Sequence, residues 1–199
     1  MSPRLILASG SAARAALLRQ ARVPFASVPA NVDEAAVKAA MLREGASARD
    51  VADALAELKA YRVAQRYSDG VVLGADQVLV CEGHLFDKPV DMSAARSQLT
   101  ALGGRTHELL TAAVVFEAGR PVWRHVGRAQ LMMRVLSDAF VDRYLEEEGD
   151  TVLQSVGAYR LEDGGAQLFD RIKGDLFTIM GLPLLELLAF LRTREVVAS

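Results

Sequence analysis

Two rhythms of apolar residues alternate along this chain, short continuous runs that suit buried strands and three-to-four-residue spacing that suits helices. Leu5-Ile6-Leu7-Ala8 reads as a buried strand, and Ser9-Gly10-Ser11 turns it into an Ala/Leu-rich helix over about 12–21 with Ser11 as its cap. Ser47-Ala48-Arg49-Asp50 has capping-box spacing, and Val51, Ala54, Leu55 and Leu58 then recur at helical intervals, which predicts a helix to about Tyr67. Val71 to Val80 is an apolar strand interrupted by Asp76-Gln77, and Glu82-Gly83 allows a hairpin return through His84-Leu85-Phe86. Ser93 opens a helix that Gly103-Gly104 closes. Two extended runs, Leu109 to Glu117 and Pro121 to Val135, meet at Ala118-Gly119-Arg120 and predict a long antiparallel hairpin. Ser137-Asp138 caps a helix with Phe140, Val141, Tyr144 and Leu145 on one face and Gly149 after its end. Gly157-Ala158-Tyr159 reads as a small-residue strand and turn. Pro183 opens a last helix whose Leu184, Leu185, Leu187, Leu188 and Leu191 make a wide apolar face. Helices alternating with strands, and long hairpins among them, predict an α/β fold with a mixed sheet and flanking helices rather than a purely parallel sheet.

Length and composition narrow the picture. The 199 residues, 51% of them hydrophobic, fit a single domain or two small lobes around a central cleft. A formal charge of -2 with both signs interspersed gives no broad reason to bind nucleic acid or an anionic membrane, and there is no basic stripe interleaved with aromatics. The single cysteine, Cys81, excludes an intramolecular disulfide and suits a reducing compartment. The opening apolar run ends at Gly10, short of a signal peptide, and no run approaches the roughly 18 apolar residues of a membrane span, so the cytoplasm is the expected location.

Several clusters could carry chemistry. Ser9-Gly10-Ser11-Ala12-Ala13-Arg14 places two hydroxyls, small residues and an arginine at a strand-to-helix junction, which suits a phosphate group but also ordinary helix capping. Asn31-Val32-Asp33-Glu34 offers adjacent carboxylates for a divalent cation or general-base work, or simply a solvated acidic turn. Lys59 sits at the border of a helix's apolar stripe, where a lysine that snorkels to water is common. Asp76 is flanked by apolar residues on both sides, so its carboxylate requires a partner: a turn to cap, an arginine, or a role as base or metal ligand. A hairpin would carry Lys88 back toward the Asp76 end of its own strand, completing a plausible phosphoanhydride site. Of the histidines His107 stands out, yet it has no ligand partner at the spacing a metal site uses.

Taken in order, these segments form one set: Leu7-Ala8-Ser9-x-Ser11-x-x-Arg14, Val32-Asp33-Glu34, Leu55-Ala56-x-x-Lys59-Ala60, Gly74-Ala75-Asp76 and Lys88-Pro89. Gly104-Arg105-Thr106-His107, Gly157-Ala158-Tyr159 and Gly181-Leu182-Pro183-Leu184 complete it. The set spans almost the whole chain and resembles the Maf family of nucleoside triphosphate pyrophosphatases. The resemblance implies an inosine-triphosphatase-like, elongated α/β fold, often dimeric, that hydrolyses a nucleoside triphosphate to the monophosphate and pyrophosphate with a divalent cation such as Mg or Mn. By position, Asp76 would accept a proton from water, Glu34 would help bind the metal or orient that water, Asp76 would share in holding the metal, and Lys88 would join Asp76 and Glu34 in catalysis. Ser11, Arg14, Lys59 and Lys88 would hold the triphosphate, with Gln77, Glu162 and Ala13 at the substrate.

The set also departs from the family pattern. Members commonly carry Ser-Pro-Arg-Arg where this chain has Ser11-Ala12-Ala13-Arg14, so a helix-start proline and one arginine are absent. Gln77 stands where the dTTP/UTP type has threonine and matches the 7-methyl-GTP type, as does Glu162, whose carboxylate suits the N–H edge of guanine. Ala13 matches neither type, and lacks the aromatic ring that would stack on a cationic methylguanine. The expectation is a 7-methyl-GTP or broader purine preference; alternatives are a dTTP/UTP pyrophosphatase and a nucleotide-binding regulator of cell division that does not turn over.

Overall fold

A computed structural model describes residues 5–67 and 69–198. Residues 1–4, the stretch ahead of the opening apolar run, lie outside this range. The described elements are β1 (Leu5–Leu7), α1 (Ala12–Gln20), β2 (Phe25–Ser27), α2 (Glu34–Arg43), α3 (Ala48–Ala64), β3 (Val71–Cys81), β4 (His84–Phe86), α4 (Met92–Leu102), β5 (Thr106–Glu117), β6 (Arg120–Met133), α5 (Asp138–Glu148), β7 (Phe169–Lys173), α6 (Leu176–Ile179) and α7 (Leu184–Thr193). Short 3-10 turns cover Gly149–Gln154 and Gly164–Leu168. Among the described residues the strand order is β2-β1-β3-β5-β6-β7, with β4 on β3. Parallel and antiparallel pairs coexist, so the fold is the expected mixed α/β type. Among the described residues no helix is long and apolar enough to cross a membrane.

The described residues divide into two compact units, the first drawn from residues 5–67, 69–77, 111–127 and 181–198, the second from residues 78–110 and 128–180. In the first, β1 pairs in parallel with β2 (Leu5 opposite Phe25) and with β3 (Leu5 opposite Val71), and it is buried throughout, as its unbroken apolar run requires. Helix α3 lies directly on β3: a Cβ on Gly74 would collide with the Ala56 carbonyl oxygen and sit 2.6 Å from the Ala60 nitrogen. Only glycine in the strand opposite alanines in the helix permits this approach. In the second unit, Leu79, Leu99, Leu109, Leu131, Tyr144 and Leu168 belong to one apolar core, and β4 pairs with β3 as far as Phe86 opposite Leu79.

Several expectations need correction. Strand β3 runs unbroken through Asp76-Gln77, because the Asp76 side chain finds a partner without disturbing the ladder. Helix α3 ends at Ala64 rather than near Tyr67. Helix α4 is capped by Asp91, whose Oδ1 accepts the Ala94 N–H at 2.7 Å, not by Ser93. Residues 157–159 form no strand, since Gly157 (φ 82°) and Ala158 (φ 58°) are both left-handed, a conformation that no strand uses. The apolar face of α7 is narrower than expected, with Leu185 exposed.

Candidate active site

The first unit gathers Ser9, Ser11, Arg14, Glu34, Lys59 and Asp76. Strand β3 presents the Asp76 carboxylate, which is 5% exposed. Its Oδ1 accepts a hydrogen bond from Lys59 Nζ at 2.6 Å, and the same ammonium lies 2.8 Å from Glu34 Oε1. Lys59, 7% exposed, projects from α3 one residue before Ala60, so the Gly74 contact that seats α3 also sets its reach. The adjacent acids of the 31–34 segment divide their work. Asp33 caps α2 by accepting the Ala36 N–H at 3.0 Å, while Glu34, the first helical residue, reaches Lys59.

Arg14, 9% exposed, comes from the first turn of α1. Its Nε donates to the Gly181 carbonyl at 2.7 Å and its Nη1 to Ser9 Oγ at 3.1 Å. Ser9 Oγ also accepts the Ser11 N–H at 3.2 Å, and Ser11 Oγ caps α1 by accepting the Arg14 N–H at 3.4 Å. The first turn of α1 carries no acidic side chain, so the positive end of the helix is left for an anion. Ala13 sits half-buried on that turn. Gly181 is a contributor that side-chain reasoning misses, because it acts through its carbonyl; its only sequence signal is the Gly-Leu-Pro-Leu segment before α7.

Burial is the strongest influence on Asp76 and holds its carboxyl above the usual carboxylate range, although Lys59 and Arg14 pull the other way. Burial likewise pushes the Arg14 guanidinium down, with Asp76 and Glu34 opposing it. Two carboxylates therefore face one ammonium, with a second buried cation close enough to act on both. Gln77, the next residue of β3, is turned by strand alternation to the opposite face from Asp76, where its Nε2 donates to Thr111 Oγ1 on β5 at 2.8 Å.

Lys88 and Glu162 belong to the second unit. Lys88 is exposed in the segment after β4, and Glu162 pairs with Arg160 at 3.4 Å in the loop after Tyr159. His107 is 1% exposed in the same unit, its Nε2 sharing a 2.8 Å hydrogen bond with Tyr159 Oη and its ring tilted against Phe169. It is a core histidine. Among the described residues no three His, Cys, Asp or Glu side chains converge as a metal-holding group. Asp76 and Glu34 fit a hard divalent cation in part: both are oxygen donors gathered about one positive charge, and a triphosphate with water would complete the shell.

The sequence has clear relatives. A nucleoside triphosphate pyrophosphatase of Granulibacter bethesdensis is 53% identical over 192 residues, covering 96% of this chain and 98% of the relative. One of Ruegeria pomeroyi is 49% identical over 197 residues, 99% of each chain. A 7-methyl-GTP pyrophosphatase of Mesorhizobium japonicum is 50% identical over 193 residues, 97% of each. The solved nucleoside-triphosphatase / dITP/XTP pyrophosphatase of Mycobacterium abscessus aligns over 96% of this chain and 95% of its own at 14% identity and a TM-score of 0.39, too distant to bear on fold or function. Residues 4–194 match the family model described as Maf-like protein, and with these relatives spanning nearly the whole chain, this protein belongs to the Maf family.

Proposed function

We propose that this protein is a nucleoside triphosphate pyrophosphatase in which Asp76 is the general base. The observation that carries the reading is the buried Asp76 carboxylate held at 2.6 Å by Lys59, with Glu34 on the same ammonium. Water adds to one phosphorus of the α–β phosphoanhydride, its proton passes to Asp76, and the bond between the two phosphates breaks, so that a nucleoside monophosphate and pyrophosphate leave. Arg14 and Lys59 offset the charge of the triphosphate, and the N–H groups at the start of α1 donate to a phosphate oxygen. Asp76 and Glu34 would hold a divalent cation, Mg or Mn, whose charge would neutralise the developing negative charge. We assign Lys88 to the triphosphate and Glu162 to the base edge.

The substrate reading is a 7-methylguanine or broader purine triphosphate. It rests on Gln77 and Glu162 and on the likeness to the Mesorhizobium japonicum protein, while Ala13 lacks the stacking ring. A cytoplasmic homodimer is part of the same reading, and a monomer mass in sedimentation would overturn the dimer. The decisive experiment is a panel of normal and modified nucleoside triphosphates with Mg or Mn, read as released pyrophosphate. Asp76→Asn is expected to lower the rate roughly 10²–10⁴-fold and a chelator to abolish it. Faster cleavage of dTTP and UTP than of 7-methyl-GTP would overturn the substrate assignment, and full activity in Asp76→Asn would overturn the mechanism.

A further inference from the structure

Gln98, on α4 of the second unit, has both ends of its side-chain amide engaged by main chain. Its Nε2 donates to the Asp87 carbonyl at 2.9 Å, and its Oε1 accepts the Gly157 N–H at 3.1 Å. Asp87 immediately precedes Lys88, and Gly157 opens the loop that runs through Tyr159 to Glu162. The Gly157 end of this link is not freely replaceable. Gly157 and Ala158 are consecutive left-handed residues, and a Cβ on Gly157 would sit 2.6 Å from Leu79 Cδ1 and 2.8 Å from Tyr159 Cε1. Such a backbone persists only where its surroundings over-determine it. The Gln98 oxygen, the Tyr159 bond to His107 and the Arg160 N–H bond to Tyr144 Oη at 3.3 Å supply that determination.

We propose that Gln98 is a positioning residue for the nucleotide, one amide that sets the spacing between the Lys88 segment and the Glu162 loop. The inference rests on the reading that Lys88 holds the triphosphate and Glu162 reads the base. Those two ends of a nucleoside triphosphate are separated by a sugar, so the distance between the segments decides whether both are engaged at once. A tether made to main chain at both ends fixes the bases of the two side chains and leaves their tips to adjust. Gln98 touches no reacting atom in this scheme; it acts through Asp87 and Gly157.

The test uses the full chain with 7-methyl-GTP, GTP and UTP as probes and two variants of Gln98. Gln98→Met keeps the length and loses both hydrogen bonds; it is expected to raise KM roughly tenfold with kcat changed less, and to narrow the preference among the three nucleotides. Gln98→Glu keeps the acceptor for Gly157 and loses the donor to Asp87, so KM rises while the Gly157 amide stays protected from hydrogen exchange, a protection that Gln98→Met removes. In a Lys88→Ala, Glu162→Ala background, Gln98→Met is expected to add no further loss. An unchanged KM and preference in folded Gln98→Met, or an undiminished loss in that background, would overturn the positioning role. An unchanged KM in Lys88→Ala and Glu162→Ala would overturn the functional reading itself, and the positioning role with it.

Discussion

At the scale of single residues, burial sets the charge state of the Asp76 carboxyl proposed as the base. A base must be ionised to accept a proton, and burial raises the pH at which Asp76 ionises, with Lys59 and Arg14 opposing that rise. In the metal-free protein Asp76 is therefore expected to titrate above the ordinary Asp value of 3.8, and Lys59→Gln, which removes an opposing charge, is expected to move that titration to still higher pH. A carboxyl titration, followed by carbon-13 NMR, that stays in place in a folded Lys59→Gln would exclude Lys59 as a charge that stabilises the Asp76 carboxylate. His107 supplies a second pH dependence, this time of stability. Burial lowers its pKa from 6.5 to about 4, so the folded state favours the neutral ring. That contribution is fully present above about pH 6.5 and is lost as the pH falls through about 4, a change of ~3 kcal/mol. Asp76 has the opposite sign, its contribution being present below its ordinary range and lost as the pH rises through its raised value. Urea midpoints between pH 7 and pH 4 are expected to fall less in His107→Phe than in the wild type. The sequence makes Asp76 conspicuous because a carboxylate in an apolar run requires a partner. It does not reveal that Asp33 caps a helix while Glu34 reaches Lys59, since adjacent carboxylates are distinguished only by where the helix begins.

At the scale of elements, the contact between α3 and β3 places the lysine against the aspartate. Gly74→Ala would drive a methyl into the Ala56 and Ala60 backbone, so it is expected to destabilise the protein by ~2 kcal/mol and to lower kcat/KM by displacing Lys59. Urea denaturation and pyrophosphate release check the two effects separately. Elements whose apolar rhythm is strong are legible in the amino-acid order alone: β1 and α1 with its Ser11 cap, β3 with its return β4, the β5–β6 hairpin, α3 with its capping box, α4, α5 and α7. The rest are quiet for physical reasons. Helix α2 buries no residue and so lacks an apolar stripe; β2 is three residues long between Pro24 and Pro29. Strand β7 is largely exposed, with Asp170, Arg171 and Lys173 masking its rhythm, and α6 is only four residues. The N-cap of α4 is ambiguous because Asp91 and Ser93 are both good capping residues two positions apart, and the carboxylate takes the role.

At the scale of the whole molecule, neither unit is a continuous stretch of sequence. The chain passes from one to the other after residues 77, 110, 127 and 180, and the first three passages lie inside β3, β5 and β6. A chain ending at residue 180 retains Asp76, Lys59 and Glu34, yet it lacks the Gly181 carbonyl on Arg14 and the buried Leu184, Leu187 and Leu191 of α7. Such a truncation is expected to release no pyrophosphate, and far-ultraviolet circular dichroism would show how much of the remaining fold survives. The bond from Arg14 to Gly181 also has a bearing on synthesis. The two residues are 167 positions apart, and a ribosome adding roughly 5–20 residues per second needs about ten to thirty seconds to cover that distance. During that interval the nascent chain carries its arginine without the carbonyl that orients it, so the phosphate grip proposed for Arg14 would stay unfinished in a growing polypeptide.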